Sequence, residues 1–422
     1  MIKDGWKKIL ASELNRKAKL VLQANDPMVI AVTGSVGKSS TKEAIFSVLS
    51  QKFHCWRNEG NFNNEIGVPL TILGVKKPVG VGRWLKFLWH NRFHNSDITN
   101  YPACLILEIA ADRKGDIKYL CDMIRPTIGV VTNIGESHME YFGSKKGIMI
   151  EKRSLVESLP KNGKAILNFD DSLVMEMKKK TKANVLTYGL KNGADVGASN
   201  IKIELTGTSF KLIYNGSIVP MQIKLVGYSF VLSALAATAV GLSMGINILE
   251  IAAGLAKWEA LPGRMKFIMG KNGQQIIDDT YNASPDSMIN AIESMKLMRI
   301  SKRKVGVLGS MWELGKATKE GHYKVGKRAG RYFDRLLCVE EYAEIYKQGA
   351  LAAGMKEENI LIFANTDQLL KYVEKILQPD DVILVKGSQS KNRLEKVVKK
   401  LMLEPQRAEE LLVRQTNDWK DR

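Results

Sequence analysis

Short apolar runs alternate with stretches of helical periodicity along most of this chain. Met28–Thr33, Leu105–Ile109 and Thr127–Ile134 are apolar runs of strand length, and Asp116–Ile124 has the spacing of an amphipathic helix. Buried strands that alternate with helices are typical of a parallel sheet covered by helices on both faces. The pattern therefore predicts an α/β fold with a doubly wound sheet, preceded by an amphipathic helix within residues 1–26.

The pattern changes after residue 195. Residues 196–226 alternate between apolar and polar positions around Asn215-Gly216, a pair that favours the tight turn of an antiparallel hairpin. Two alanine-rich stretches of helical spacing follow, at Leu232–Leu242 and Ile248–Lys257. We therefore expect a hairpin and two helices after the parallel strands.

A Leu-Pro-Gly-Arg sequence at 261–264 interrupts the helical pattern and predicts a domain boundary. Strand-like runs then recur, with helical spacing between them, at 305–308, 336–339, 360–363 and 382–385. We interpret the chain as a central domain over residues 27–263, followed by a smaller, Rossmann-like domain over residues 264–422.

The loop between the first strand and the next helix is rich in glycine and contains a lysine. It reads Gly34-Ser35-Val36-Gly37-Lys38-Ser39-Ser40. A strand–loop–helix of this kind directs backbone N–H groups and a helix N-terminus at an anion, and Lys38 adds a charge that suits nucleotide phosphates. Ser39 stands where such loops offer a hydroxyl to Mg²⁺. The first glycine lies closer to the lysine than in the general Walker pattern, yet the loop predicts a P-loop domain that binds a nucleoside triphosphate.

Two further residues lie where predicted strands would end beside this loop. Glu108 closes an apolar strand, and His138 follows the strand that ends at Ile134. Ligands bind at the carboxyl ends of parallel strands in such folds, so Ser39, Glu108 and His138 together predict a site for divalent metal that bridges phosphates. Taken singly, Glu108 could be a helix cap and His138 a satisfied loop histidine.

Two further polar segments and one lysine are candidates for the site, although each could also have an ordinary structural or surface role. Asp278–Ala283 follows a strand-like run and is either an ordinary turn or a segment that brings a carboxylate to a ribose or phosphate and an aromatic ring to a base. Lys386-Gly387-Ser388 ends the last predicted strand and is a candidate for a second anion-binding turn. Lys152, at a predicted helix start, has on composition alone the character of a surface lysine.

Composition limits the partners of the chain. It has 422 residues, of which 45% are hydrophobic and 25% charged, and a net charge of +19. Because the basic residues are dispersed, we expect a solvated surface and polyanionic small substrates, with no specific nucleic acid. Four cysteines without paired spacing argue against a zinc site or disulfides. Neither a signal peptide nor a membrane span is recognisable, so we expect a cytoplasmic protein.

The chain resembles the Mur ligase family in segments that occur in family order. They are Thr33–Glu43, Asn61–Leu70, Arg125-Pro126 with Thr132–His138, Leu261–Arg264, Asp278–Ala283, Leu308–Gly315 and Val385–Ser388. Together they extend over most of residues 28–395. Chance agreement of so many segments in one order is implausible.

The resemblance implies ATP-dependent, ADP-forming synthesis of an amide bond in cell-wall (peptidoglycan) precursor synthesis. In this family a substrate carboxylate attacks the γ-phosphate of ATP to give an acyl phosphate. The amine of an amino acid or a dipeptide such as D-alanyl-D-alanine then displaces phosphate. The carboxylate would belong to a muramyl peptide.

The resemblance also implies roles for individual residues. Lys152 falls on a lysine that the family carbamylates, so that added CO₂ turns a cation into a metal ligand. The residues expected to serve catalysis are Lys38, Lys152 and His138. Those expected at Mg²⁺ are Ser39, Glu108, His138 and the carbamate of Lys152. Those expected at ATP are Gly34, Ser35, Val36, Gly37, Lys38, Ser39, Ser40, Arg264, Asp279, Tyr281 and Asn282.

Departures from the family pattern leave the substrate open. Residues 1–33 precede the loop, where the family carries an N-terminal domain for a uridine-nucleotide substrate, so we expect that module to be missing or replaced. The adenine-binding stretch of the family is altered at Gly227–Ser233, which leaves the base preference undecided. The alternatives are a polyglutamyl-type ligase that acts on a non-wall acid, and a non-catalytic nucleotide-binding partner protein.

Residues 83–93 form a segment peculiar to this chain. Tryptophans and leucines can share one helical face there, with basic residues beside them. Such a face suits peripheral contact with an anionic membrane, packing on the core, or the place of the missing acceptor module. We expect the chain to act as a monomer.

Overall fold

The structure is a computed structural model that describes residues 2–75, 100–136, 139–298, 301–389 and 393–415. The predicted membrane-contact segment 83–93 and the candidate ligand His138 lie outside the described residues. No helix within the described ranges is long and apolar enough to cross a membrane.

The first part of the described chain forms a nine-stranded sheet with helices on both sides. Its elements are α1 (Ile2–Asn25), β1 (Met28–Thr33), α2 (Lys38–Leu49), β2 (Cys55–Arg57), α3 (Gly67–Ile72), β3 (Cys104–Glu108), α4 (Asp116–Ile124), β4 (Ile128–Val131), α5 (Met139–Phe142), α6 (Lys145–Glu157), β5 (Lys164–Asn168), α7 (Ser172–Glu176), β6 (Asn184–Gly189), β7 (Val196–Glu204), β8 (Gly207–Tyr214), β9 (Ser217–Ile223), α8 (Tyr228–Ser243) and α9 (Ile248–Lys257). A 3₁₀ turn covers Met177–Lys180.

The strand order in this sheet is β2-β3-β1-β4-β5-β6-β7-β8-β9. Neighbouring strands are parallel from β2 to β7 and antiparallel from β7 to β9. The predicted hairpin around Asn215-Gly216 is confirmed, since both residues have positive φ and Tyr214 pairs with Ser217 across the turn. The antiparallel strands extend the parallel sheet and do not form a sheet of their own.

The strand β1 shows that the sheet is covered on both faces. Its residues from Val29 to Thr33 are all buried, as expected for a parallel strand with helices on either side. Ile30 and Val32 belong to the core that contains residues of α2, α8 and α9. Val29 and Ala31 belong to the opposite core, with residues of α1, α4 and α6. The predicted doubly wound sheet is therefore confirmed.

The helix predicted within residues 1–26 is α1, which packs against the rest of the molecule through one apolar face. Leu14 and Ala18 are fully buried in the core beside α3 and α4. Leu20, on the same helix, is 45% exposed. Hydrophobic burial along one stripe therefore fixes α1 in place.

The second part of the described chain forms a six-stranded sheet. Its elements are β10 (Lys266–Met269), β11 (Gln275–Asp279), α10 (Pro285–Leu297), β12 (Lys304–Gly309), α11 (Thr318–Ala329), β13 (Arg335–Val339), α12 (Ala343–Ala352), β14 (Ile360–Phe363), α13 (Thr366–Ile376), β15 (Val382–Lys386), α14 (Glu395–Leu401) and α15 (Ala408–Leu411), with 3₁₀ turns at Gly315–Ala317, Glu357–Asn359 and Pro405–Arg407. The order is β10-β11-β15-β12-β13-β14. The β10–β11 pair is antiparallel and the other pairs are parallel.

The two sheets are joined through α8 and α10. Met288 and Ile292 of α10 belong to the same apolar core as Leu235 of α8. The hydroxyl of Ser294, also on α10, accepts a hydrogen bond from the N–H of Tyr228 at the start of α8, at 3.1 Å. This packing brings the second sheet to the P-loop side of the first. The domain boundary after Gly263 stays a prediction.

Two element bounds differ from the sequence prediction. Lys152 lies in the middle of α6 and not at its start, because Ser144 caps the helix by accepting from the N–H of Gly147 at 3.0 Å. Asp278 and Asp279 lie within β11 and not in a turn after it, since this strand pairs with β15 as far as its last residue.

Leu14→Ala should lower the free energy of unfolding by about 2–5 kcal/mol, because it leaves a cavity at a fully buried position of α1. Leu20→Ala, at an exposed position of the same helix, should change that free energy by less than about 0.5 kcal/mol. Urea denaturation followed by circular dichroism measures both variants. Equal effects of the two substitutions would show that α1 is not docked as described.

Candidate active site

The glycine-rich loop closes tightly against the end of β4. Gly34 has a φ of +148°, and a Cβ placed there would lie 1.8 Å from the hydroxyl of Thr132, so no side chain fits. Gly37 has a φ of +84° and precedes the first residue of α2. Asn133 holds the loop. Its backbone carbonyl accepts from the N–H of Ser35 at 2.9 Å, and its side-chain oxygen accepts from the N–H of Val36 at 2.7 Å. The loop therefore wraps around the N-terminus of α2, as phosphate binding requires.

Lys38 begins α2 and folds back over its own loop. Its ammonium donates to the carbonyl oxygens of Gly34 and Ser35 at 2.8 and 3.1 Å. Burial lowers the pKa of Lys38, and the carboxylate of Glu108 opposes that effect. The side chain lines a cleft beside the loop, so its charge can reach an anion bound there.

Glu108 presents a buried carboxylate at the end of β3. The Ser39 hydroxyl donates to one of its oxygens at 2.6 Å, and the Asn63 amide donates to the other at 3.0 Å. Arg264, which precedes the second sheet, donates to the Ser39 oxygen at 3.0 Å. Burial alone would raise the pKa of Glu108, but the charges of Lys38 and Arg264 outweigh it and hold this pKa below its usual value.

The Ser39 hydroxyl and the Glu108 carboxylate bring two hard oxygen donors together. Mg²⁺ prefers such oxygens and completes its shell with water and substrate phosphates. No cluster of three or more His, Cys, Asp or Glu side chains able to hold a metal occurs among the described residues. The Ser39–Glu108 pair therefore fits a Mg²⁺ ion whose remaining ligands come from phosphate oxygens and water. His138 lies outside the described ranges, and its role as a ligand stays a prediction.

Lys152 is buried, contrary to the surface position that composition alone suggested. Burial and the positive charge of Lys38 lower the pKa of Lys152 to about 7, although the carboxylates of Glu151 and Glu108 act in the opposite direction. Glu151 is engaged elsewhere, because it accepts from backbone N–H groups at the start of α4. A lysine with such a pKa is partly neutral at pH 7, and a neutral amine is the form that reacts with an electrophile such as CO₂.

The opposite wall of the cleft comes from the segment that enters the second sheet. The Arg264 guanidinium lies 4.1 Å from the ring centroid of Tyr281. The Tyr281 hydroxyl in turn donates to the side-chain oxygen of Asn61, in the first part of the chain. Together with the bond from Arg264 to Ser39, this contact connects the two sheets across the cleft.

Lys386 supports this wall from within the second sheet. Its ammonium donates to Asp279 at 2.6 Å and to the carbonyl of Asn282 at 3.0 Å. Ser388 donates to the side-chain oxygen of Asn282 at 3.0 Å. The charge of Lys386 is thus paired with a carboxylate, and this turn orders Asp279 and Asn282. Its role as a second anion-binding turn stays a prediction.

These residues enclose one cleft of about 360 Å³, a size typical of small-molecule sites, which span roughly 300–1,000 Å³. Gly34 and Lys152 are buried and do not lie on its surface. The other predicted site residues within the described ranges all line it: Ser35, Val36, Gly37, Lys38, Ser39, Ser40, Glu108, Arg264, Asp279, Tyr281 and Asn282.

Several lining residues were not indicated by sequence reasoning. Asn63, which bonds to Glu108, lies in a segment that the family resemblance included without a stated role. Met265 adds apolar surface, and so does Phe230, which belongs to the altered adenine-binding stretch but was given no role; such surface suits a nucleotide base. Asn290 of α10 adds an amide group, and Ser229 stands in the altered adenine-binding stretch. No local motif marks Asn290, because only the packing of α10 against the first part of the chain brings it to the cleft.

A P-loop at the carboxyl edge of a doubly wound sheet, closed by a second and smaller sheet, defines a class of enzymes that use ATP. Residues 32–241 match the Mur ligase middle domain, and residues 263–389 match the Mur ligase glutamate ligase domain. The chain belongs to the Mur ligase family. It is an ATP-dependent ligase that forms ADP, as the resemblance implied.

Two curated relatives and one solved structure illustrate the match. The UDP-N-acetylmuramoyl-tripeptide–D-alanyl-D-alanine ligase of Bacillus subtilis (strain 168) is 31% identical over 395 residues, which cover 93% of this chain and 79% of that protein. The ligase of the same name from Escherichia coli (strain K12) is 32% identical over 389 residues, 91% of this chain and 79% of that protein. The crystal structure of MurF ligase from Thermotoga maritima in complex with ADP aligns with a TM-score of 0.78 and 27% identity, covering 95% of this chain and 84% of that one.

The cytoplasmic location, the monomeric state and the membrane contact of residues 83–93 stay predictions.

The lowered pKa of Lys152 predicts a pH-dependent stability in CO₂-free buffer. Between the folded pKa of about 7 and the ordinary value of 10.5, the unfolded chain holds a proton on this amine that the folded chain lacks. The free energy of unfolding should therefore rise with pH across this window, by an amount on the order of a few kcal/mol. Urea denaturation at several pH values measures the slope.

Lys152→Met should flatten this pH slope, because it removes the titrating group but keeps an apolar chain in the buried space. Lys146→Met, at an exposed position of the same helix, should leave the slope unchanged. An equally steep slope in Lys152→Met would show that another group titrates.

Proposed function

We propose that this ligase joins D-alanyl-D-alanine to a carboxylate of a UDP-N-acetylmuramoyl tripeptide in cell-wall precursor synthesis, with ATP converted to ADP and phosphate. The names of relatives that are 31% and 32% identical over most of the chain support this substrate pair. The structural observation that carries the proposal is the Ser39–Glu108 pair, which lies beside Lys38 and Arg264 in one cleft.

The proposed reaction has two transfers. An oxygen of the acceptor carboxylate bonds to the γ-phosphorus of ATP, and the bond from that phosphorus to the bridging oxygen breaks, which releases ADP. The dipeptide amine then attacks the carbonyl carbon of the acyl phosphate; it loses a proton, and phosphate leaves. Negative charge develops on the phosphoryl oxygens and then on the former carbonyl oxygen, so cationic and hydrogen-bonding groups at the cleft lower both barriers.

We assign the phosphate end of the site to the loop and the two cations beside it. The backbone N–H groups at the start of α2 and the Lys38 ammonium would bind the phosphates of ATP. Arg264 would add a second cation from the segment that enters the second sheet. Ser39 and Glu108 would hold Mg²⁺, which supplies charge neutralisation on the phosphates when it is bound.

We assign the nucleoside end to the second sheet and the start of α8. Asp279 and Asn282, which Lys386 holds in place, would contact the ribose or phosphates. Tyr281 would serve the base or ribose through its ring or hydroxyl. The base would lie against Phe230, since this ring adds apolar surface to the cleft.

Lys152 would complete the metal site in its carbamylated form. Its amine lies close enough to Lys38 and Glu108 for their charges to shift its pKa. A carbamate there would be negative and would pair with the Lys38 charge, whereas the unmodified ammonium repels it. His138 remains the other predicted ligand and catalytic residue.

The substrate assignment is tested by measuring ADP release with defined acceptors and amines. The full chain with ATP and Mg²⁺ should release ADP when given the UDP-muramyl tripeptide together with D-alanyl-D-alanine, and a ligated product of the combined mass should appear. Release with a folate-type acid and glutamate instead would favour the polyglutamyl alternative. No turnover with any pair, combined with tight ATP binding, would favour a non-catalytic partner protein.

Lys38→Ala should lower this turnover by about 10²–10³-fold, the effect of removing one preorganised contact to transition-state charge. Lys52→Ala removes an exposed lysine beyond the end of α2 and should keep full activity. Thermal denaturation of both variants checks that the fold is retained. Near-normal turnover in Lys38→Ala would contradict the assignment of this lysine to the phosphates.

Lys152→Ala should also lose activity steeply, but acetate or formate should restore part of it, because a short carboxylate can occupy the space that the carbamate leaves. Lys146→Ala, at an exposed position of the same helix, should show neither loss nor rescue. Full activity in Lys152→Ala would contradict the carbamate role.

A further inference from the structure

Asn58 follows β2 directly and is fully buried. The strand β2 pairs with β3 only as far as Arg57, which lies opposite Ile106. On the side of β3 that faces β2, strand pairing therefore ends at Ile106, two residues before Glu108. The side-chain amide of Asn58 takes over the pairing: its oxygen accepts from the Glu108 N–H at 2.9 Å, and its NH₂ group donates to the Glu108 carbonyl at 2.8 Å.

The same amide also fixes the loop that supplies Asn63. Its NH₂ group donates to the carbonyl of Phe62 at 2.8 Å. The next residue is Asn63, whose side chain donates to the Glu108 carboxylate. An asparagine amide has two N–H donors, and Asn58 uses both on the backbone. The buried side chain of Asn58 thus holds the main chain of Glu108 and also the loop that carries Asn63.

The backbone of Asn58 is in turn tied to the phosphate-binding helix. The buried ammonium of Lys42, on α2, donates to the carbonyl oxygen of Asn58. Lys42 also pairs with Glu43 at 3.1 Å, and Glu43 pairs with Arg57 at 2.8 Å. The helix that carries Ser39 and the strand end that carries Asn58 are therefore held in one arrangement.

We infer that Asn58 is a positioning residue for the metal site formed by Ser39 and Glu108. This inference rests on the metal role of Glu108 in the proposed function. A metal site requires its oxygen ligands to be held within about 0.5 Å of the productive geometry. Glu108 reaches its place at a strand end, where regular pairing on one side has stopped, and the Asn58 amide replaces that pairing.

The inference predicts a loss of metal affinity without a loss of nucleotide affinity. In Asn58→Ala, the dissociation constant for Mn²⁺, measured by electron paramagnetic resonance on the full chain with saturating ADP, should rise by roughly 10–100-fold, as for other residues that orient metal ligands. The affinity for ADP in the presence of a chelator should remain within about twofold of the original, because the loop and Lys38 are untouched. A role in stability alone would change both affinities or neither.

Three further variants make the outcome decisive. Asn58→Leu has a side chain of similar size and no charge but removes both donors and the acceptor, so it should give the same result if Asn58→Ala fails to fold. Asn247→Ala removes the residue that caps α9 away from the cleft; it should lower stability but leave Mn²⁺ affinity unchanged. Glu108→Gln should weaken Mn²⁺ binding as the proposed ligand.

The results separate the two claims. Weakened Mn²⁺ binding in Glu108→Gln, but normal binding in both Asn58 variants, would overturn the positioning role and leave the proposed function standing. Normal Mn²⁺ binding in Glu108→Gln would remove the metal role of Glu108 and the positioning role with it.

Discussion

The buried carboxylate of Glu108 is the group on which the rest of the site depends. A carboxylate removed from water is costly unless opposite charges and hydrogen bonds surround it. The N-terminus of α2, beside the first sheet, supplies Ser39 and Lys38, and the segment that enters the second sheet supplies Arg264. Because this compensation comes from both parts of the chain, the ionic balance of the cleft is complete only when α8 and α10 hold the sheets together.

This arrangement explains how an unusually basic chain forms a site for an anionic substrate. The cations at the cleft are held by specific partners, such as the loop carbonyls for Lys38 and Asp279 for Lys386. These partners fix the orientation of both cations in the cleft, and cations held in place stabilise charge with little reorganisation.

The sequence was informative where a local pattern fixes the local structure. The glycine loop, the parallel strands around it and the hairpin at Asn215-Gly216 follow from residue type and spacing, because each is determined by a few neighbouring residues. The placement of Glu108 beside Ser39 was also predicted, since the ends of parallel strands and the loops that follow them lie at the same edge of a sheet.

Other features depend on contacts between distant segments and had no sequence signal. The burial of Lys152 depends on which face of α6 packs against α4 and the first sheet, and this packing joins distant parts of the chain. The pairing of Lys386 with Asp279 required β15 to lie beside β11, an order that alternation of strands and helices does not specify. Asn290 enters the cleft only through the packing of α10.

The antiparallel extension of the first sheet has a consequence for self-association. It places β9 at one edge, where unpaired backbone groups would ordinarily invite a strand from another molecule. Pro220 lies in the middle of this strand and has no N–H to offer. Proline makes an edge strand resist pairing, so the nine-stranded sheet, as far as the described residues define it, ends in a strand poorly suited to edge-to-edge aggregation.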